Sequence, residues 1–326
     1  MLEHGGNLRA AALRYGRDDW IDLSTGINPW GYPAPVIPAD AWHRLPEPDP
    51  ALAAAACAWY GAPRLLPVAG TQAAIQALPR LRPPSRVTVS APSYAEHAHH
   101  WGRHGHRLRL ASYEELDAAV EDSDVVVLCN PNNPTGAVVP PRQLLDWAAR
   151  LGARGGWLVV DEAFGDTAPG LSVAGSSAQP GLIVLRSVGK FFGLAGLRLG
   201  FVGAHPALQD ELADLLGPWA VSGPAQTVAL AALHDTAWQA LTQTRLQTAG
   251  ERMRALLRVH GIEANGTPLF HWWQAARPEA FHEHLASRGI WCRLFTHAAR
   301  GIRLGLPANE DEWQRLARAL EEWSEP

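Results

Sequence analysis

Of the 28 lysine and arginine residues in the chain, a single one, Lys190, is lysine. Chemistry that needs a primary side-chain amine is therefore confined to that position. Cysteine is nearly as scarce: Cys57, Cys129 and Cys292 are an odd set without CxxC spacing. That suggests neither a disulfide framework nor a zinc site, and it suits free thiols in a reducing cytoplasm. No run of about eighteen apolar residues occurs, so no membrane span is expected. The opening "MLEHGGNLRAAALRYG" lacks the apolar stretch of a signal peptide. Nor is there an excess of charge of either sign. A net charge of -4 and a pI near 6.4 give no general attraction to nucleic acid or to anionic lipid.

What remains is an ordinary globular composition, 47% hydrophobic and 18% charged over 326 residues. The runs "RVTVSAP", "DVVVLCNP", "WLVVDEAF", "LIVLRS" and "LRLGFVG" have strand length and β-branched content, and helix-like stretches such as "PRQLLDWAARLGARG" lie between several of them. Such alternation predicts an α/β fold with a mostly parallel sheet, its ligands beyond the carboxyl ends of the strands. Residues 1–40, rich in Gly and Pro, read as an arm belonging to a smaller domain. Residues 41–223 read as the large domain, and 224–326 as a linking helix and a small α+β domain.

Why is the one amine at 190? Arginine keeps its proton at any accessible pH, whereas a desolvated lysine near other cations loses it and attacks carbonyls. Ser187 precedes Lys190 by three residues and Arg198 follows by eight, among Gly189, Gly193, Gly196 and Gly200. A hydroxyl and a guanidinium around an amine suit a phosphorylated aldehyde such as pyridoxal 5'-phosphate. A P-loop is the competing reading of "WLVVDE" with a Gly-Lys pair. It fails because Phe191 follows the lysine and Val184 stands where the motif needs glycine.

The SxxK and downstream Arg pattern resembles the fold type I, class II pyridoxal-phosphate enzymes, the aspartate aminotransferase superfamily. The resemblance extends over nearly the whole chain. It implies that Lys190 forms the Schiff base with the cofactor and shuttles protons, and that Ser187 and Arg198 hold its phosphate. It further implies that Asp161, ending "WLVVD", faces the pyridine nitrogen, and that Asn133 of "NPNNPTG" meets the phenolic oxygen. Gly70, Thr71 and Gln72 of "VAGTQAAIQAL" become phosphate contacts at a helix start, and Tyr94 of "APSYAEH" stacks on the ring.

Within the superfamily, "EHGGN" and "WIDLSTGINPWGYP" resemble the threonine-phosphate decarboxylases of cobalamin biosynthesis, with histidinol-phosphate aminotransferases the nearest relatives by pattern. This implies substrate contacts from His4, Asn28, Arg293 and Arg303, a phosphorylated amino-acid substrate, and a homodimer. Two departures stand out. Phe164 replaces the tyrosine that aminotransferases carry three residues after the aspartate, and Leu45-Pro46-Glu47 replaces a Tyr-Pro-Asp that reaches across the dimer. An aminotransferase of the histidinol-phosphate type and a non-catalytic cofactor-binding regulator remain as alternatives.

Overall fold

The structure, a computed structural model, describes residues 4–323. Residues 1–3 and 324–326, the ends of the expected arm and small domain, lie outside the described residues. The chain opens with α1 (Leu8–Tyr15), β1 (Ile21–Asp22), α2 (Asp40–His43) and α3 (Pro50–Tyr60). The arm is thus partly regular. Asp49 caps α3 by accepting from Ala51 N, with Pro50 at the first helical position.

From Leu66 strands and helices alternate: β2 (Leu66–Val68), α4 (Thr71–Ala77), β3 (Arg86–Ser90), α5 (Ala95–Arg103), β4 (Arg107–Ala111), α6 (Leu116–Asp122), β5 (Val125–Cys129), α7 (Pro141–Gly152), β6 (Trp157–Asp161), β7 (Leu182–Ser187), β8 (Gly200–Gly203) and α8 (Pro206–Leu216). The strands form one sheet in the order β2-β8-β7-β6-β5-β3-β4. All neighbours from β7 to β4 are parallel, while β8 runs antiparallel to both β7 and β2. The five apolar runs are the strands their composition predicts. Two further strands escape that reading: β2 is a short Leu-Pro-Val, and β4 is an edge strand whose Leu108 and Leu110 are exposed between arginines.

Both faces of this sheet are covered, so its central strands are continuously apolar until their carboxyl ends, where Asp161 and Arg186-Ser187 stand. Successive residues alternate between two cores. Leu158, Val160, Leu182 and Val184 pack against α7 through Leu144, Trp147 and Leu151. Val159, Ile183 and Leu185 pack on the other face with Ile75 of α4 and Leu212 of α8. Each such side chain stabilises the fold by about 1.5–3 kcal/mol relative to exposure.

Beyond the sheet come α9 (Gly223–His234) and α10 (Thr236–Val259), separated by Asp235, whose carboxylate accepts from Trp238 N at 2.9 Å. There follow β9 (Asn265–Thr267), β10 (Phe270–Trp273), α11 (Pro278–Ser287), β11 (Ile290–Trp291), β12 (Arg293–Phe295), β13 (Gly301–Leu304) and α12 (Glu310–Glu321). β12-β13-β10-β9 make an antiparallel sheet. The run "IWCRLF" divides at Cys292: its first half, β11, pairs in parallel with β1 (Ile21 with Ile290), joining the amino-terminal segment to this layer.

Candidate active site

The alternation that builds the two cores also sorts the polar residues at the strand ends. Continuing β6 and β7 by one residue puts Asp161 and Ser187 on the α4–α5 side and Glu162 and Arg186 on the opposite side. Asp161 is 5% exposed, and its Oδ2 meets His97 Nε2 of α5 at 2.9 Å. Burial disfavours charge on His97, but hydrogen bonds to Asp161 and Cys129 outweigh it and raise its pKa to about 10. His97 is therefore an imidazolium at neutral pH, facing Asp161. Cys129, which ends β5, completes a buried group whose ligand atoms lie within 4.8 Å of one another.

Lys190 follows β7 in a turn and is partly exposed to the cavity. Among the described residues its Nζ has no hydrogen-bond partner. Its nearest ring is Phe164, 5.3 Å to the centroid. Desolvation, with Arg303 next and Arg198 in support, lowers its pKa to about 8 against the opposing pull of Asp161. Lysine rather than arginine at this position makes the amine a usable nucleophile. Phe164 packs edge-on against Phe270 at 4.9 Å, so the residue that departs from the aminotransferase pattern borders the amine.

Gly70, Thr71, Ser187, Arg198 and Gly200 converge beside it. Ser187 is paired with Gly200 in the sheet, and a side chain on Gly200 would strike Thr71 N at 2.8 Å. One on Gly70, whose φ is 72°, would meet Arg198 Nη2 at 2.7 Å. Only glycine lets the loop before α4 and the guanidinium come this close. Arg198 itself has φ 54°, a left-handed conformation that non-glycine residues adopt at a cost. This cradle could hold a phosphate. The Gln72 side chain points elsewhere: its Nε2 donates to Glu96 Oε2 at 2.7 Å, and its Oε1 accepts from Tyr94 Oη at 3.3 Å.

A cavity of about 850 Å³ opens at these strand ends, walled by His4, Tyr94, Asn133, Lys190, Arg293 and Arg303 among others. Arg303 reaches it from β13, donating to Asn133 Oδ1 and to Ser24 O, each at 2.5 Å. Burial and the neighbouring Arg293 press its charge down, opposed by Asp22. A cation held under such stress is suited to an arriving anion. Asn28 is not on the cavity wall. It is 2% exposed, with Nδ2 donating to Phe191 O at 2.8 Å and Oδ1 accepting from Trp30 N at 2.9 Å. Its backbone N donates to Lys190 O at 3.0 Å, so it braces the lysine turn.

Three functional groupings escape the sequence. His97 is one of several histidines in "AEHAHHWGRH", and nothing in that string aims it at Asp161. Ser24 and Glu96 likewise reach Arg303 and His4 through contacts 279 and 92 residues apart along the chain.

Fold and cavity together define a fold type I α/β enzyme built around a desolvated lysine. The chain belongs to the aminotransferase class I and II family, whose model matches residues 19–320. It is 54% identical over 330 residues to the threonine-phosphate decarboxylase of Pseudomonas aeruginosa, covering 100% of this chain and 99% of that one. To the threonine-phosphate decarboxylase of a Sinorhizobium species it is 44% identical, covering 98% and 97%. The histidinol-phosphate aminotransferase of Sinorhizobium meliloti in complex with pyridoxal-5'-phosphate shares the fold. Its TM-score is 0.84 at 24% identity, over 98% of this chain and 95% of that one.

Proposed function

We propose that the protein is a pyridoxal-phosphate-dependent decarboxylase that converts L-threonine O-3-phosphate to (R)-1-amino-2-propanol O-2-phosphate in cobalamin biosynthesis. One observation carries the reading: 54% identity along the full length of a threonine-phosphate decarboxylase. Features of the cavity fit the cofactor. Lys190 Nζ is free of hydrogen bonds among the described residues, and Gly70 leaves a cradle beneath Arg198 that a side chain would fill.

Bound there, pyridoxal phosphate supplies an electron sink for the bond broken at the substrate's α-carbon. Asp161, oriented by His97 Nε2, would face the pyridine nitrogen and favour its protonated form. Ser187, Arg198, Gly70, Thr71 and the backbone of Gln72 hold the cofactor phosphate. Asn133 meets the phenolic oxygen, and Tyr94 covers the ring. Arg303 grips the substrate carboxylate with its planar fork, and Arg293 and His4 face the substrate phosphate. The Arg303 grip on the carboxylate would orient it for loss in place of the α-hydrogen. Carbon dioxide leaves, and Lys190 Nζ delivers the replacing proton to the α-carbon. Asn28 acts behind Lys190 by fixing its turn.

Residues 41–223 form the cofactor-binding domain and the arm (1–40) joins 224–326 in the small domain; the pairing of β1 with β11 supports this division. A homodimer is supported by the exposure of Val36, Trp42 and Leu45 along one segment. The unpaired cysteines support a cytoplasmic location. The test is to incubate the purified holoenzyme with threonine phosphate and measure carbon dioxide. Amino transfer to 2-oxoglutarate without carbon dioxide rejects decarboxylation in favour of the aminotransferase alternative.

A further inference from the structure

Glu96 has no part in the roles described above, yet it is the hub of the cavity rim. Its side chain is 13% exposed. Oε1 accepts from His4 Nε2 at 2.8 Å, and Oε2 accepts from Gln72 Nε2 at 2.7 Å and His100 Nε2 at 3.0 Å. An ionised carboxylate only accepts, so all three partners are donors toward it. Burial opposes its charge, but these donors hold the carboxyl below its ordinary value. For His4 this fixes the ring at the cavity it lines: Nε2 is held by Glu96 Oε1.

The arm behind His4 has a second anchor. Gly6 N donates to Ser24 Oγ at 2.8 Å, and Gly5 lies so close to Ser24 that a Cβ would meet its carbonyl oxygen at 2.4 Å. Ser24 O is the acceptor for Arg303. Both anchors of the arm therefore lead to the site: one through Gln72 to the start of α4, the other through Ser24 to Arg303.

We infer that Glu96 is a positioning residue whose carboxylate docks the amino-terminal arm and presents the His4 imidazole to the substrate phosphate. The inference rests on the decarboxylase reading for the identity of that anion, but not for the docking itself. A carboxylate near a dianionic substrate would be repulsive if it faced the cavity directly. With His4 between them, the carboxylate is engaged by the imidazole Nε2. Glutamine keeps the shape but loses the charge that lets one carboxylate accept from His4, Gln72 and His100 together.

The test combines E96Q, H4A and the double variant of the holoenzyme. Loss of one charge-assisted hydrogen bond predicts that KM for threonine phosphate rises about tenfold in E96Q, with kcat little changed. H4A should match it, and the double variant should be no worse than H4A alone. Without substrate, backbone amides of residues 5–8 should exchange with deuterium faster in E96Q and in H4A than in the unaltered protein. Additive effects on KM, a loss confined to kcat, or unchanged exchange in the arm would overturn the inference. If E96Q is too unstable to assay, H4A alone decides: its residue is exposed, and unchanged arm exchange sinks the docking role. A protein that releases no carbon dioxide but shows the exchange effect would discard the substrate and keep the latch.

Discussion

At the scale of single residues, the site depends on one amine and on what surrounds it. Lys190 loses hydration and faces Arg303 and Arg198, which brings its pKa to about 8. In the cofactor-free protein the rate of reaction with added pyridoxal phosphate should therefore rise with pH through about 8, instead of near the ordinary lysine value. Stopped-flow absorbance would show it. Lys190→Arg keeps the charge but cannot attack a carbonyl, so it should give neither a yellow holoenzyme nor measurable carbon dioxide release. Arg303 holds two acceptors at once through its fork. Lysine there presents a point charge, and Arg303→Lys should raise KM about 10- to 100-fold, read from initial rates.

At the scale of elements, β6 and β7 carry the site on one face and an ion cluster on the other. Arg186 donates to Glu162 at 2.5 Å and to Asp166 at 2.9 Å, all three buried, with the Tyr60 ring 4.3 Å from the guanidinium carbon. Glu162 also accepts from Ser172 Oγ and Val173 N. Removing one partner strands a buried charge, so Glu162→Ala should cost about 3–5 kcal/mol. A lowered urea midpoint would report it. In the small sheet, His271 of β10 is fully buried, and among the described residues neither ring nitrogen has a hydrogen bond of ordinary geometry, the Gly250 backbone being its nearest support. Burial, aided by Arg254, lowers its pKa to about 4. Because the unfolded chain takes up this proton near 6.5, stability falls as pH drops from about 6.5 towards 4, by up to about 3 kcal/mol. His271→Phe should flatten that part of the pH–stability curve in urea titrations.

At the scale of the molecule, the exposed Val36, Trp42 and Leu45 lie on the segment that leads from the arm into α3. For the proposed homodimer, charged replacements at Trp42 and Leu45 are expected to shift the sedimentation coefficient towards that of a monomer, and an unchanged coefficient would count against this segment as the interface. Much of the large domain was legible because its strands are buried on both faces and so read as unbroken apolar runs. The edge strand β4 was not, since a strand with one open side can carry arginines. The positions of Asp161 and Ser187 at strand ends followed from local pattern. The placement of Asn28 behind the lysine turn, away from the cavity wall, did not.

By itself the sequence determined which chemistry this chain can perform, because a lone lysine flanked by Ser187 and Arg198 is a property of composition and spacing. Only the tertiary structure decided how that amine is tuned and what reaches it. His97 on Asp161, Ser24 under Arg303 and Glu96 on His4 join residues far apart along the chain, and desolvation is a property of the packed surroundings that no local stretch contains.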